Sequence, residues 1–316
     1  MTAARDPVDD ATLALLLEVA GTPKPGNVDR HRDLDDLRFD SFLGGAVGAR
    51  AGLELAADDD VPLGEAFERA VAGMADRAGT NTQFGCLLLL VPLLRATVTE
   101  AASSSGRLDA AAVDRVTRDA TVDDAVAFYR AFEHVDVAVA DPPPDAADLD
   151  VRRGSDAAPA LRERGLTLRD VLAISADPDD ADRVPDRNAR EWVEGFPRTF
   201  RAAEWIRTDT GPLTDRAART FLGLLAAEPD TLVAAAHGPE AAREASTRAA
   251  ALLDGAAAGS EGVDAFDADA VHGADLDAAE GLAAAFVDEG INPGTTADLT
   301  CAALYVAIRH GAEVAP

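Results

Sequence analysis

Helical periodicity runs through almost the whole chain. Ala- and Leu-rich segments with acidic or arginine faces recur at 10–20, 40–57, 62–77, 82–97, 108–118, 121–138, 156–164, 167–175, 186–207, 213–226, 238–256, 274–288 and 296–310. Between them lie Pro, Gly and Asp breaks such as "DPPPDAADLD" and "TDTGPLTD". Alternating β-branched runs are scarce. "VDVAVA", Val135 to Ala140, reads as a short strand or, more naturally, as the end of a helix. The pattern predicts an all-α protein, a multi-helix bundle in a single domain over residues 1–316. The Pro-rich stretch 141–150 is the best candidate for a boundary, but so short a segment fits a surface loop better. With 316 residues, 47% of them hydrophobic, the chain can bury a substantial core.

Charge narrows the partners. The formal net charge is −28, with 57 acidic residues against 29 basic ones. Phosphate-backbone binding needs a basic surface, so nucleic acid is excluded as an expected partner, and an anionic membrane surface with it. The acidity is spread along the chain, as in proteins of extreme halophiles, where molar salt shortens the Debye length to roughly 3 Å and mutes self-repulsion. Cys86 and Cys301 each lie in an apolar run with no zinc-type spacing, which suggests free buried thiols in a reducing cytoplasm. The first residues, "MTAARDPVDD", have no apolar signal region, and "CLLLLVPLL", Cys86 to Leu94, is too short to span a bilayer. Self-association into a homo-oligomer is compatible with all of this.

Three polar stretches are not what a helix needs. The first is "GTPKPGNVDRHRDLDD", Gly21 to Asp36, which holds the only lysine among 29 basic residues. Pro23 and Pro25 stiffen the backbone on either side of Lys24, and Gly26 permits positive φ or close approach. Asn27, Asp29, His31, Asp33 and Asp35 follow. A pinned ammonium trailed by carboxylates suits a nucleoside triphosphate with Mg²⁺; an ordinary charged surface loop is the alternative. The second is "GTNTQFG", Gly79 to Gly85, where Thr80, Asn81 or Thr82 would cap a helix whose N-terminus could hold an anion, or be a cap and nothing more. The third is "NPGTTADLTCAALYV", which puts Asn292, Gly294, Thr295 and Asp298 at the start of another very apolar helix. Two such helices would be buried, and their polar ends are expected to open into one crevice. Glu18, six residues before Lys24 on an apolar helix, is expected to face the same place, because a buried acid needs a partner. Arg152 and Arg153 are phosphate candidates or part of a solvated turn, and Trp192 and Trp205 are read as core, with adenine stacking as the alternative. There is no P-loop, GxSxG or GxGxxG.

Together these stretches resemble the triphosphoribosyl-dephospho-CoA synthase family. That family's pattern runs E-x-x-x-x-P-K-P-G-x-V-D, H-x-D-M-D, N-T-H-K-G and N/S-P-G-G-S-A-D-L-L. The counterparts here are Glu18, Pro23 to Gly26, Val28-Asp29, His31 to Asp35, Asn81-Thr82 and Asn292 to Leu299. The resemblance implies an all-helical transferase that uses ATP and Mg²⁺, releases adenine and joins the triphosphorylated ribose to a hydroxyl of an acceptor such as 3′-dephospho-CoA. It implies that Lys24, Gly26, Asn27, His31, Asn81, Thr82, Asn292, Gly294 and Thr295 contact the nucleotide. It further implies that Asp29, Asp33 and Asp35 hold the metal, and that Asp29, Asp33 or Asp298 acts as the base. Two departures stand out: the family's H-K after N-T is Gln83-Phe84, and the spacing from P-K-P-G-x-V-D to H-x-D is shorter. A different ATP-dependent phosphotransferase or hydrolase, or a non-catalytic nucleotide-binding protein, are the alternatives.

Overall fold

The computed structural model describes residues 5–101, 108–142, 144–178, 183–253 and 262–314. Within them the chain is helical: α1 (Pro7–Ala20), α2 (Phe39–Ala56), α3 (Leu63–Ala78), α4 (Phe84–Ala101), α5 (Ala110–Arg118), α6 (Val122–Ala131), α7 (Ala158–Arg164), α8 (Leu168–Ala176), α9 (Arg187–Glu194), α10 (Pro197–Thr208), α11 (Leu213–Ala227), α12 (Thr231–His237), α13 (Pro239–Ala250), α14 (Ala268–His272), α15 (Leu276–Glu289) and α16 (Gly294–Arg309). Among the described residues there is no strand, and the all-α class holds.

Two helices form the centre. In α16 every residue from Thr295 to Ile308 is buried except Asp298, and α4 is buried from Cys86 through Leu94. A helix apolar all round must lie inside the protein, and here α1, α10 and α11 enclose α16 while α1, α2, α3 and α5 pack on α4. By length and composition α4 could cross a membrane; in this fold it is the core helix. Tyr305 donates to Thr97 Oγ1 at 2.8 Å and ties the two helices together. Pro92 inside α4 has no N–H to give the Leu88 carbonyl, and Trp192 Nε1 of α9 donates to that carbonyl at 3.0 Å instead. Trp192 and Trp205 are core residues, as their helical spacing suggests.

Two expectations change, and two unexpected helices are added. The segment 186–207 is two helices, because Gly195 and Phe196 are both left-handed and Pro197 starts α10. The buried Glu191 carboxylate closes that corner by accepting from the amides of Arg198 at 3.2 Å and Thr199 at 2.9 Å. The helix expected over 121–138 stops at Ala131, and 135–142 runs on as irregular chain, neither strand nor helix. The short α12 and α14 lack enough periodicity to be seen in the sequence.

Candidate active site

The loop after α1 is organised by Asp29, which is fully buried. Its Oδ2 accepts from Thr22 Oγ1 at 2.9 Å, the Lys24 amide at 3.2 Å and Arg32 at 2.9 Å, and its Oδ1 from the His31 amide at 2.8 Å. Gly26 has φ of 71°, and a Cβ there would stand 1.9 Å from the Ile291 carbonyl oxygen. The loop therefore docks edge-on against the segment that leads into α16. There Asn27 Nδ2 donates to Asn292 Oδ1 at 2.9 Å, joining two stretches 265 residues apart.

Above this junction lies a cavity of about 350 Å³. Its walls include Glu18, Asn27, Asn81, Thr82, Asn292, Gly294, Thr295 and Asp298, so the three polar stretches do meet. The N-termini of α4, α9 and α16 border it through Gly85, Asn188 and Thr295. Phe128, Phe132, Val137, Val139, Leu149, Val151, Leu172 and Ile174 supply a broad apolar wall. The irregular segment "VDVAVA" is part of that wall.

Asp298 is one of three cavity acids, with Glu18 and Asp186, whose carboxyls are raised above the ordinary range. Burial, with the charges of Glu18 and Asp230 behind it, pushes its carboxyl up to about 7, against the pull of hydrogen bonds from Asn188 and Cys86. Asn188 Nδ2 donates to Oδ2 at 2.8 Å, and the Cys86 thiol to Oδ1 at 3.3 Å. Gly85 is what lets the carboxylate sit there: a Cβ on it would be 1.9 Å from Asp298 Oδ2. Asn188 Oδ1 is buried without a partner among the described residues and belongs to the cavity wall. Behind Asp298 the free thiols of Cys86 and Cys301 share a hydrogen bond; that bond and then burial raise the Cys86 thiol above its ordinary range, and burial raises Cys301.

Other expected site residues fall elsewhere. Lys24 is wholly buried and outside the cavity wall; its ammonium is held by the Glu18 carboxylate and, at 3.0 Å, by Asn27 Oδ1. A buried ammonium needs paired charge, and Glu18 meets that need inside the protein. Asp33 accepts from the Phe39 amide at 2.7 Å and starts α2, while Asp35 and His31 are exposed. Among the described residues no group of three His, Cys, Asp or Glu stands ready to hold a metal, so Asp29, Asp33 and Asp35 are not assembled as one. Arg152 pairs with Asp141 and Asp150 and lies outside the cavity wall, as does Arg153.

Several residues that shape the cavity and the start of α16 escaped the sequence reading. Asn188 follows an Asp186 cap in "PDRNAR", a helix-start signal lost inside a longer apparent helix. Asp230 accepts from the Thr296 amide and hydroxyl, each at 2.7 Å, and Arg187 donates to Thr296 Oγ1 at 2.9 Å. These two fix the start of α16. Gln83 and Phe84 are packing residues: Gln83 donates to the Leu15 carbonyl at 3.3 Å, and Phe84 packs among Phe67, Phe128 and Phe132.

No curated protein matches this chain. Among solved structures it is similar to one from Archaeoglobus fulgidus, provisionally described as a triphosphoribosyl-dephospho-CoA synthase. The two share 22% identity with a TM-score of 0.61, covering 85% of this chain and 99% of that one, which is a likeness of fold. The family described as ATP:dephospho-CoA triphosphoribosyl transferase (CitG) matches residues 4–314, nearly the full length. The chain belongs to that family of transferases.

Proposed function

We propose that the cavity bordered by α4, α9 and α16 binds ATP beside a hydroxyl acceptor, with 3′-dephospho-CoA as the acceptor, and that Asp298 is the general base. One observation carries this reading: Asn27, Asn81, Thr82, Asn292, Gly294, Thr295 and Asp298, drawn from three distant stretches, line a single cavity. The reaction breaks the bond from the ribose C1′ to adenine N9. The electron pair leaves with the base, which takes up a proton. The acceptor oxygen bonds to C1′, and its proton passes to Asp298. A carboxyl with a pKa near neutrality suits that duty, since it is part-ionised at working pH yet basic enough to accept. Asn188 and Cys86 fix its orientation from two sides.

The wall offers Glu18, Asp141, Asp150, Asp186 and Asp298 as acids against Arg183 as its lone cation among the described residues. Triphosphate oxygens therefore need cations brought from outside. Mg²⁺ fits, as a hard ion that keeps its water and uses phosphate oxygens with only one or two carboxylates. We take it as part of the substrate, Mg·ATP, where it would offset phosphate charge. The apolar wall suits the pantetheine portion of the acceptor. The reaction is assigned to the cytoplasm, in step with two free buried thiols, and to high salt, in step with the charge of −28.

The test is chromatographic detection of adenine from Mg·ATP in molar KCl, with and without dephospho-CoA, comparing wild type with Asp298→Asn. Acceptor-dependent adenine, lost in the variant, is expected. ADP or phosphate with no free adenine overturns the reading in favour of a phosphotransferase or hydrolase.

A further inference from the structure

The single lysine and Glu18 form a pair whose purpose differs from phosphate binding. Lys24 is 0% exposed and Glu18 1%, and the ammonium meets Glu18 Oε1 directly. Lys24 stands behind the wall, whereas Glu18 is part of it. Lys24 is also held by Asn27 Oδ1 at 3.0 Å, and Asn27 by Asn292, so the ammonium cannot swing into the cavity without breaking the junction. Among the described residues no protein group donates to Glu18 Oε2. One carboxylate oxygen is thus neutralised from behind, and its twin is left without a protein donor.

We propose that Glu18 is a catalytic residue: its carboxylate faces the ribose C1′ and stabilises the positive charge that develops there, while Lys24 is the positioning residue that keeps Glu18 ionised and aimed. The inference rests on the function proposed above and adds a residue to it. The chemistry requires such a group. As the bond to adenine stretches, C1′ and the ring oxygen take on oxocarbenium character, and a fixed negative charge beside them lowers the barrier. Burial holds the Glu18 carboxyl above its ordinary value, and the Lys24 charge and hydrogen bond pull it back down, so without Lys24 the acid would be held neutral. Glu18 and Asp298 then divide the work, one facing cationic carbon and the other accepting the proton.

The experiment compares wild type, Glu18→Gln, Lys24→Met and the double variant Glu18→Gln/Lys24→Met in molar KCl. Adenine release gives kcat. Calorimetry gives Kd for Mg·ATP and for a triphosphorylated iminoribitol, whose protonated ring nitrogen imitates the charged sugar. Circular dichroism verifies the fold. The double variant replaces the ion pair with neutral groups and so remains interpretable if a single variant unfolds. Expected are a 10²- to 10³-fold loss of kcat in Glu18→Gln and in the double variant, Mg·ATP affinity within threefold of wild type, and at least tenfold weaker binding of the iminoribitol. A lysine that binds phosphate predicts the reverse, with Mg·ATP affinity collapsing in Lys24→Met and in the double variant. A merely structural pair predicts that the folded double variant recovers kcat. Either result overturns the proposal. If wild type makes adenine and Glu18→Gln keeps its kcat, the proposal alone falls; if wild type makes ADP instead, the function falls and the proposal with it.

Discussion

Asn27 Nδ2 lies 2.9 Å from Asn292 Oδ1, and Asn27 Oδ1 at the same time accepts from Lys24. One amide therefore connects the loop after α1, the buried ion pair and the start of α16. Asn292→Ala leaves the Asn27 amide short of a partner, which costs about 1 kcal/mol of stability. Because both residues line the cavity, kcat/KM for adenine release is expected to fall about tenfold, a change worth ~1.4 kcal/mol. Denaturant melts and steady-state kinetics of Asn27→Ala, Asn292→Ala and the double variant measure the coupling; strictly additive losses would contradict a direct link.

Asp298 sets the pH behaviour. Its folded-state pKa, about 7, lies above the ordinary carboxyl value. A raised value means the folded state holds the proton more tightly than the unfolded chain. The associated stability is complete below the ordinary carboxyl pKa and is lost as pH climbs through about 7. Melting temperature in wild type should therefore decline from pH 5 to pH 8 relative to Asp298→Asn, which lacks that titration. Activity should move the other way, rising with an apparent pKa near 7, because the base must be ionised. Paired pH–melting and pH–rate profiles check both signs.

Gly85→Ala tests the close approach. The new Cβ would be 1.9 Å from Asp298 Oδ2 and 2.7 Å from Asn188 Nδ2. Overpacking of this kind costs about 1–3 kcal/mol. Since the clash falls on the proposed base, adenine release is expected to drop at least 10²-fold while circular dichroism stays native. A rate within threefold of wild type would show that Asp298 can move aside and still work.

Much of this was legible in the residues. The meeting of Gly79 to Gly85 with Asn292 to Val306 followed from polar starts on helices too apolar to lie at the surface, and the likeness to the transferase family tied Gly21 to Asp36 to them. The roles inside the first stretch were not. Lys24 looks like a phosphate ligand in sequence because a one-dimensional reading cannot tell a lysine aimed outward from one turned back onto the preceding helix. Asp29 looked like a metal ligand, yet its oxygens are taken up by Thr22, Lys24, His31 and Arg32, all within seven residues. Asn188 was hidden because the Gly195-Phe196 corner, which makes α9 a separate helix, depends on a carboxylate folding back from Glu191. That is a tertiary arrangement with no local periodicity to announce it.

The ion pair makes a stability prediction of its own. Lys24→Met leaves Glu18 buried with no counter-charge, so the acid must take up a proton, and the loss is expected to reach about 3–5 kcal/mol near neutral pH, whereas Glu18→Gln/Lys24→Met removes both charges and should regain most of it. Urea melts of the two variants in molar KCl decide it.

Salt is the last lever. At a net charge of −28, self-repulsion weakens the compact state until it is screened. Melting temperature is expected to rise steadily from 0.1 M to molar KCl (roughly a threefold shortening of the Debye length), as scanning calorimetry would record.

The chain carries a single side-chain amine, and it is sealed within the fold. Amine-directed reagents should therefore ignore the native protein apart from its terminus, and acylation of Lys24 would mark only those molecules whose interior has momentarily opened. The rate of that modification, followed by mass spectrometry, becomes a built-in clock for local opening beneath the cavity, with no engineered probe needed.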